Sequence, residues 1–186
     1  MVINPIIYDT KGKGTDIFSS NLENRIVHLV GPITDEMAAS VVAQLLHLAQ
    51  DDKEPISLYI NSQGGSVSAG MAIYDTMKFI KPEVHTICVG QAASMAAVIL
   101  SGGSSRRILP HSEVMIHQPS SGVAGQASEI VIVADHIKKT RQVLNELLAK
   151  NCGRCVEEVA MDTERDYWMN AKEALEYGIV DEICEQ

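Results

Sequence analysis

Four stretches of this chain pair reactive side chains with small neighbours that would let a substrate approach. In Gly90-Gln91-Ala92-Ala93-Ser94-Met95-Ala96-Ala97 a single hydroxyl stands among small residues. Such a serine is either a nucleophile for acyl transfer or the N-cap of the helix that follows. The stretch lacks the Gly-x-Ser-x-Gly pattern of the α/β-hydrolases. Val114-Met115-Ile116-His117-Gln118-Pro119 ends an apolar run on a histidine, which suits a general base or a hydrogen-bonded structural residue. His111, after Pro110, is a decoy for the same role. Asp162-Thr163-Glu164-Arg165-Asp166-Tyr167-Trp168 offers two aspartates, as an orienting carboxylate or as part of a solvated charge cluster. Asn61-Ser62-Gln63-Gly64-Gly65-Ser66-Val67 has a glycine pair at a helix start, where backbone N–H groups can meet an anion or simply close a tight turn.

The elements that would hold these residues follow from hydrophobic periodicity. Strands are expected at Arg25 to Gly31, Ile56 to Ile60, Val84 to Val89, Arg107 to Leu109, Val114 to Ile116 and Ile179 to Asp181. Helices are expected at Glu36 to Gln50 behind a Thr34 or Asp35 cap, then at Val67 to Phe79, Ser94 to Leu100, Gln126 to Lys150, Val156 to Met161 and Ala171 to Tyr177. This alternation predicts one α/β domain with parallel strands. The first 24 residues lack pattern and read as a flexible arm ahead of a domain over 25–186. On the long helix, Ile130, Val133, Ile137, Leu144, Leu147 and Leu148 form a stripe that Val131, Ile132 and Val143 widen. That width means either deep burial within the domain or a face covered by another subunit.

Composition narrows the function classes. The 186 residues carry a formal charge of −9, and their longest basic runs are pairs such as Arg106-Arg107 and Lys138-Lys139. A nucleic-acid partner is therefore disfavoured. No stretch approaches the roughly 20 apolar residues of a membrane span. The amino terminus lacks the features of a secretory signal, so Cys88, Cys152, Cys155 and Cys184 read as thiols in a cytoplasmic protein. Cys152-Gly153-Arg154-Cys155 has no second C-x-x-C and no thioredoxin-like strand before it, and no residue set has metal-ligand spacing.

In their order, the four motifs resemble the ClpP family of serine peptidases. So do Ser68-Ala69-Gly70-Met71-Ala72-Ile73-Tyr74-Asp75-Thr76-Met77 and Ala174-Leu175-Glu176-Tyr177-Gly178-Ile179-Val180-Asp181, and the likeness runs from about Asp16 to the end. The resemblance implies a ClpP/crotonase-like α/β fold with a projecting handle at about 118–150. It implies Ser94 as nucleophile, His117 as general base and Asp166 as orienting acid, with the N–H groups of Gly65 and Met95 as the oxyanion hole and no metal or organic cofactor. Ser120, Ser121 and Gly122 would bind an extended substrate, and Tyr59 and Phe79 would help dock an unfoldase. The implied assembly is two stacked seven-membered rings, which receive unfolded protein from an AAA+ unfoldase of the ClpX, ClpC or ClpA type. The first 24 residues would form an axial pore.

The chain departs from the family's usual pattern at several positions. Gln63 stands where proline usually precedes the glycine pair, and Ser57 where an aromatic residue often joins the dock. Ser121 and Ala124 replace a common glycine and glutamine, and the arm is short between Gly14 and Asp16. A structural or regulatory ring subunit, inactive alone and activated by a paralogous subunit, is therefore the alternative reading. An acyl-thioester enzyme on the shared crotonase fold is a more distant one.

Overall fold

The computed structural model describes residues 4–8, 10–51 and 54–185. Residues 1–3 and 9 of the expected arm lie outside this set. The rest of that segment carries secondary structure that the sequence reading missed. Strands β1 (Ile6–Tyr8) and β2 (Gly14–Asp16) pair antiparallel. They lead into helix α1 (Ile17–Glu23), whose first turn is capped by the Asp16 carboxylate accepting from the Phe18 and Ser19 amides. The Asp16 cap was the available signal. No residue of α1 is fully buried, and Leu22 packs against the edge of the core.

The body is a parallel sheet with helices between its strands. In chain order come β3 (Ile26–Val30), α2 (Asp35–Leu48), β4 (Ile56–Ser62), α3 (Val67–Phe79), β5 (Val84–Ala93), α4 (Met95–Ser101), β6 (Ser105–Ile108), β7 (Glu113–Ile116), α5 (Ala127–Cys152), α6 (Val156–Asp162), β8 (Tyr167–Asn170), α7 (Ala171–Tyr177) and β9 (Glu182–Ile183). Parallel pairing runs in the order β3-β4-β5-β6-β9. Thr34 caps α2 by accepting from the Met37 amide, and Ser66 caps α3 by accepting from the Ala69 amide. Each cap satisfies an amide that the helix itself leaves unpaired.

Strand β5 is the pivot. Its first half pairs with β6, in register His85↔Ser105, and its second half with β7, in register Gln91↔Glu113. The sequence reading ended this strand at Val89. The strand instead continues through Gly90, which takes φ +87°, a conformation other residues rarely adopt. Buried Ser112 bridges the bend, accepting from the Gly90 amide at 2.8 Å and donating to the Cys88 carbonyl at 3.3 Å. The extra residues carry the strand to the doorstep of Ser94.

Two further differences concern the carboxyl-terminal third. Tyr167-Trp168, read as the end of a charge cluster, continues with Met169-Asn170 as β8, which pairs antiparallel with β7. The sheet is therefore not purely parallel, and the aromatic pair was the β signal that the neighbouring charges masked. The last strand begins at Glu182 rather than Ile179, because the Ile179 and Val180 amides donate back to the Ala174 carbonyl, at 3.0 and 3.5 Å, and close the end of α7.

The core lies between sheet and helices, with Leu58, Ile60, Ile73, Ile99, Leu100, Ile108, Ile116 and Met169 nearly inaccessible. Fully burying one such aliphatic side chain contributes about 1.5–3 kcal/mol. Every residue of α4 is buried. Helix α5 behaves differently. Near its end Leu144, Asn145, Leu148 and Ala149 are buried, whereas Val131 is 59% and Ile132 69% exposed. Deep burial within the domain therefore does not explain the width of its apolar stripe. Among the described residues no helix is long and apolar enough to cross a membrane.

Candidate active site

The site is built where β5, β7 and β8 end or begin. Ser94 sits between β5 and α4 at φ +57° and ψ −123°, one of only two described non-glycine residues with positive φ. A serine held there costs about 1–3 kcal/mol of backbone strain. Its side chain makes no cap hydrogen bond to α4, so the N-cap explanation of this serine falls away. The hydroxyl instead lies 2.8 Å from Nε2 of His117. The serine's backbone is tied to the histidine's strand as well, its amide donating to the Met115 carbonyl at 2.8 Å.

His117 leaves the end of β7 with its other ring nitrogen, Nδ1, 2.9 Å from Oδ1 of Asp166. An ionised carboxylate only accepts, so Nδ1 carries the proton and donates, which leaves Nε2 to accept from the Ser94 hydroxyl. Asp166 immediately precedes β8, whose register Ile116↔Tyr167 brings the carboxylate alongside the histidine. The Asp166 side chain is 62% exposed and that of His117 26%. The structure thus brings Ser94, His117 and Asp166 into one hydrogen-bonded chain, a geometry able to move a proton from hydroxyl to imidazole.

The glycine pair packs against the serine from the β4 side. Ile33 bridges Gly65, with the Ile33 amide donating to the Gly64 carbonyl and the Ser66 amide donating to the Ile33 carbonyl, each at 2.9 Å. In that pattern the Gly65 N–H points away from Ile33. A Cβ on Gly64 would lie 2.6 Å from the Ala93 carbonyl oxygen, 2.8 Å from Ser94 Cβ and 3.1 Å from the Met95 nitrogen. Gly64 is a contact that the sequence reading did not single out. Gly65, at φ +155°, would push a Cβ to 2.3 Å from the Ile33 carbonyl oxygen. Met95 opens α4, where an amide has no partner within its own helix.

Beside Ser94 and His117 lies a cavity walled by Val67, Val98, Ile116, Leu144 and Leu148, with Asn145 as a polar member. The lining is mostly apolar, and the cavity's volume of about 20 Å³ has room for no more than a water-sized group. Ser120 and Ser121 fall in the irregular segment between β7 and α5 and line an outer groove with Met71, Ile137 and Val143. Gly122 is exposed in the same segment, and nothing would obstruct a Cβ on it. Tyr59, on β4, is half-buried beside His28, with ring centroids 5.9 Å apart. Phe79 ends α3 and is 83% exposed. Neither aromatic lines the cavity next to Ser94.

The remaining candidates stay apart from this chain of hydrogen bonds. His111 is exposed just before β7. Cys152 ends α5, and burial pushes its thiol up to about 11, away from the thiolate that redox or metal chemistry uses. Cys155 is the exposed residue preceding α6. Among the described residues no group of three or more His, Cys, Asp or Glu is placed to hold a metal ion. The sequence reading also missed Gln118 and Glu164, which join the segments on either side of the His117–Asp166 pair. No local pattern marks a pair whose members lie 46 residues apart.

Against known families, the model for Clp protease matches residues 9–186, which takes in all the elements from β2 to β9 and every residue of the hydrogen-bonded chain. By that match this chain belongs to the Clp protease family, a family of peptidases.

Proposed function

We propose that the chain is a serine endopeptidase of the ClpP type, in which Ser94 attacks a peptide carbonyl. His117 takes the hydroxyl proton at Nε2 and returns it to the leaving amine, while Asp166 stabilises the imidazolium through Nδ1. Water then resolves the acyl-enzyme by the reverse route. The amides of Gly65 and Met95 meet the tetrahedral oxyanion, where one such donor contributes about 2.7–4 kcal/mol to the transition state. Ser120, Ser121 and Gly122 align the substrate backbone as an added strand. These steps use no cofactor. The observation that carries the reading is the pair of hydrogen bonds at His117, 2.8 Å to Ser94 and 2.9 Å to Asp166.

The reading extends to assembly and partners. The exposed apolar face of α5 packs two heptameric rings together and closes a chamber. An AAA+ unfoldase docks on a surface that includes Tyr59 and Phe79 and feeds unfolded protein past the amino-terminal hairpin. The cytoplasmic setting drawn from the sequence is part of this reading.

The test is intact-mass labelling of size-fractionated protein with a serine-reactive fluorophosphonate, with Ser94→Ala in parallel. One adduct per chain in a large oligomer, absent in Ser94→Ala, is the expected outcome. No adduct in a large oligomer would overturn the self-sufficient peptidase and leave a ring subunit activated by a paralogue.

A further inference from the structure

The carboxylate that orients His117 is more than half exposed, and its own side chain has one described hydrogen-bond partner, the histidine itself. A water-accessible group with one partner is not held by its own contacts, so its position must come from the backbone around it. That backbone, Thr163 to Asp166, leaves α6 and runs into β8. Its start is held by the buried Thr163 hydroxyl, which donates to Oδ1 of Asn145 on α5 at 3.0 Å. Three further points fasten the segment. The Gln118 amide donates to the Thr163 carbonyl at 2.6 Å. The Gln118 side chain donates to the Glu164 carbonyl at 2.9 Å and approaches its Oε1 at 3.4 Å. The third point is on α5, where Nη2 of Arg141 donates to Oε2 of Glu164 at 2.7 Å and reaches the Ala160 carbonyl at 3.3 Å. Arg165 also lies near Glu164, at 3.6 Å, but is 85% exposed and on the same loop.

Resting on the triad reading above, we propose that Arg141 is a positioning residue for Asp166. It clamps Glu164 from the long helix while Gln118, the neighbour of His117, clamps the same residue from the other side. The base and its acid are thereby held at one spacing, and the seat of α5 on the domain sets that spacing. Both contacts leave one nitrogen, Nη2, so a lysine ammonium, with three donors on one nitrogen, reproduces part of the clamp. Misplacing a reacting group by about 1 Å can cost on the order of 100-fold in rate.

The experiment measures the rate of fluorophosphonate acylation, together with kcat and KM for a short fluorogenic peptide. It compares assembled full-length protein with Arg141→Ala and Arg141→Lys, each also placed in an Asp166→Asn background. Arg141→Ala should lower kcat and the acylation rate about tenfold or more with KM within about twofold, and Arg141→Lys should recover part of the loss. In the Asp166→Asn background the same substitution should cost less than about twofold, because its target is already gone. An undiminished cost in that background, or a wild-type rate for Arg141→Ala, overturns the proposal. Should Arg141→Ala fail to assemble, Glu164→Gln, which preserves shape and length, decides by the same criteria. Acylation that survives Ser94→Ala would instead refute the triad reading beneath it, a distinct result.

Discussion

The Ser94 amide donates to the Met115 carbonyl at 2.8 Å, so the turn that presents the hydroxyl is the last rung of the β5–β7 pairing. Through that rung the strained serine and the histidine two residues beyond Met115 are fixed by one backbone ladder. The strain at Ser94 is therefore held by the sheet and is not relieved locally.

This arrangement predicts that activity and stability separate at residue 94. Ser94→Gly should abolish peptide cleavage and yet unfold at higher denaturant than Ser94→Ala, by about 1 kcal/mol, because glycine accepts φ +57° and alanine does not. Equal midpoints for the two variants in a chemical denaturation series would show that the turn stores no strain.

Gly64 should tolerate no side chain. Gly64→Ala places a methyl within 2.8 Å of Ser94 Cβ and 2.6 Å of the Ala93 carbonyl oxygen, both in rigid backbone surroundings. The expected result is a fall in kcat of on the order of 100-fold, with a stability loss of about 1–3 kcal/mol. Steady-state kinetics and thermal unfolding check both, and wild-type kcat would contradict the packing described.

The apolar face of α5 should govern assembly and leave the fold of the subunit intact. Ile132, at 69% exposure, touches little in its own chain, so Ile132→Glu should change subunit stability by no more than about 0.5 kcal/mol. In analytical ultracentrifugation the same variant should shift the protein from stacked rings to single rings or smaller species. An unchanged sedimentation profile would mean that this face does not join rings.

Acid should weaken one particular junction. Asp181 accepts from the Arg106 amide at 2.9 Å and from its Nε at 3.0 Å, and the Arg106 Nη1 continues to the Asn151 and Gly178 carbonyls at 2.8 and 2.7 Å. The guanidinium hydrogen bond is the main cause that holds the Asp181 carboxyl below its ordinary value, with burial opposing it. A lowered folded-state pKa means that the stabilisation is complete above the unfolded carboxyl's pKa, about 3.9, and fades as pH falls through the folded value. The stability gap between wild type and Asp181→Asn should thus be constant from neutral pH to about pH 5 and shrink as the pH falls below the unfolded carboxyl's value. Partial exposure keeps the gap to about 1 kcal/mol. Denaturation midpoints measured across that range read it directly, and a gap that widens in acid would reverse the assignment.

Where local pattern and tertiary structure agree, the sequence was readable to the residue: α3 runs from Val67 to Phe79 and α7 from Ala171 to Tyr177, as periodicity and flanking signals imply. It misled where one residue changes a rule. Gly90 looks like a strand stop but is a bend within β5, and only the distant Ser112 explains why. The residues of the candidate site could be named from the order of their motifs. What could not be read was the backbone conformation of Ser94, the closeness of Gly64, or the bracket of Gln118, Glu164 and Arg141. Each of these depends on which segments lie side by side, and side chains alone do not encode that locally.

The late position of β8 has a consequence for the life of the chain. The serine and histidine are 23 residues apart, but the acid lies 49 residues beyond the histidine, just before a strand that pairs with β7. A nascent chain emerging from the ribosome as far as the end of α5 therefore holds a hydroxyl and an imidazole with no carboxylate to orient them. On the triad proposed above, synthesis itself would act as a safety catch, with cutting power withheld until nearly the whole polypeptide has been made and folded.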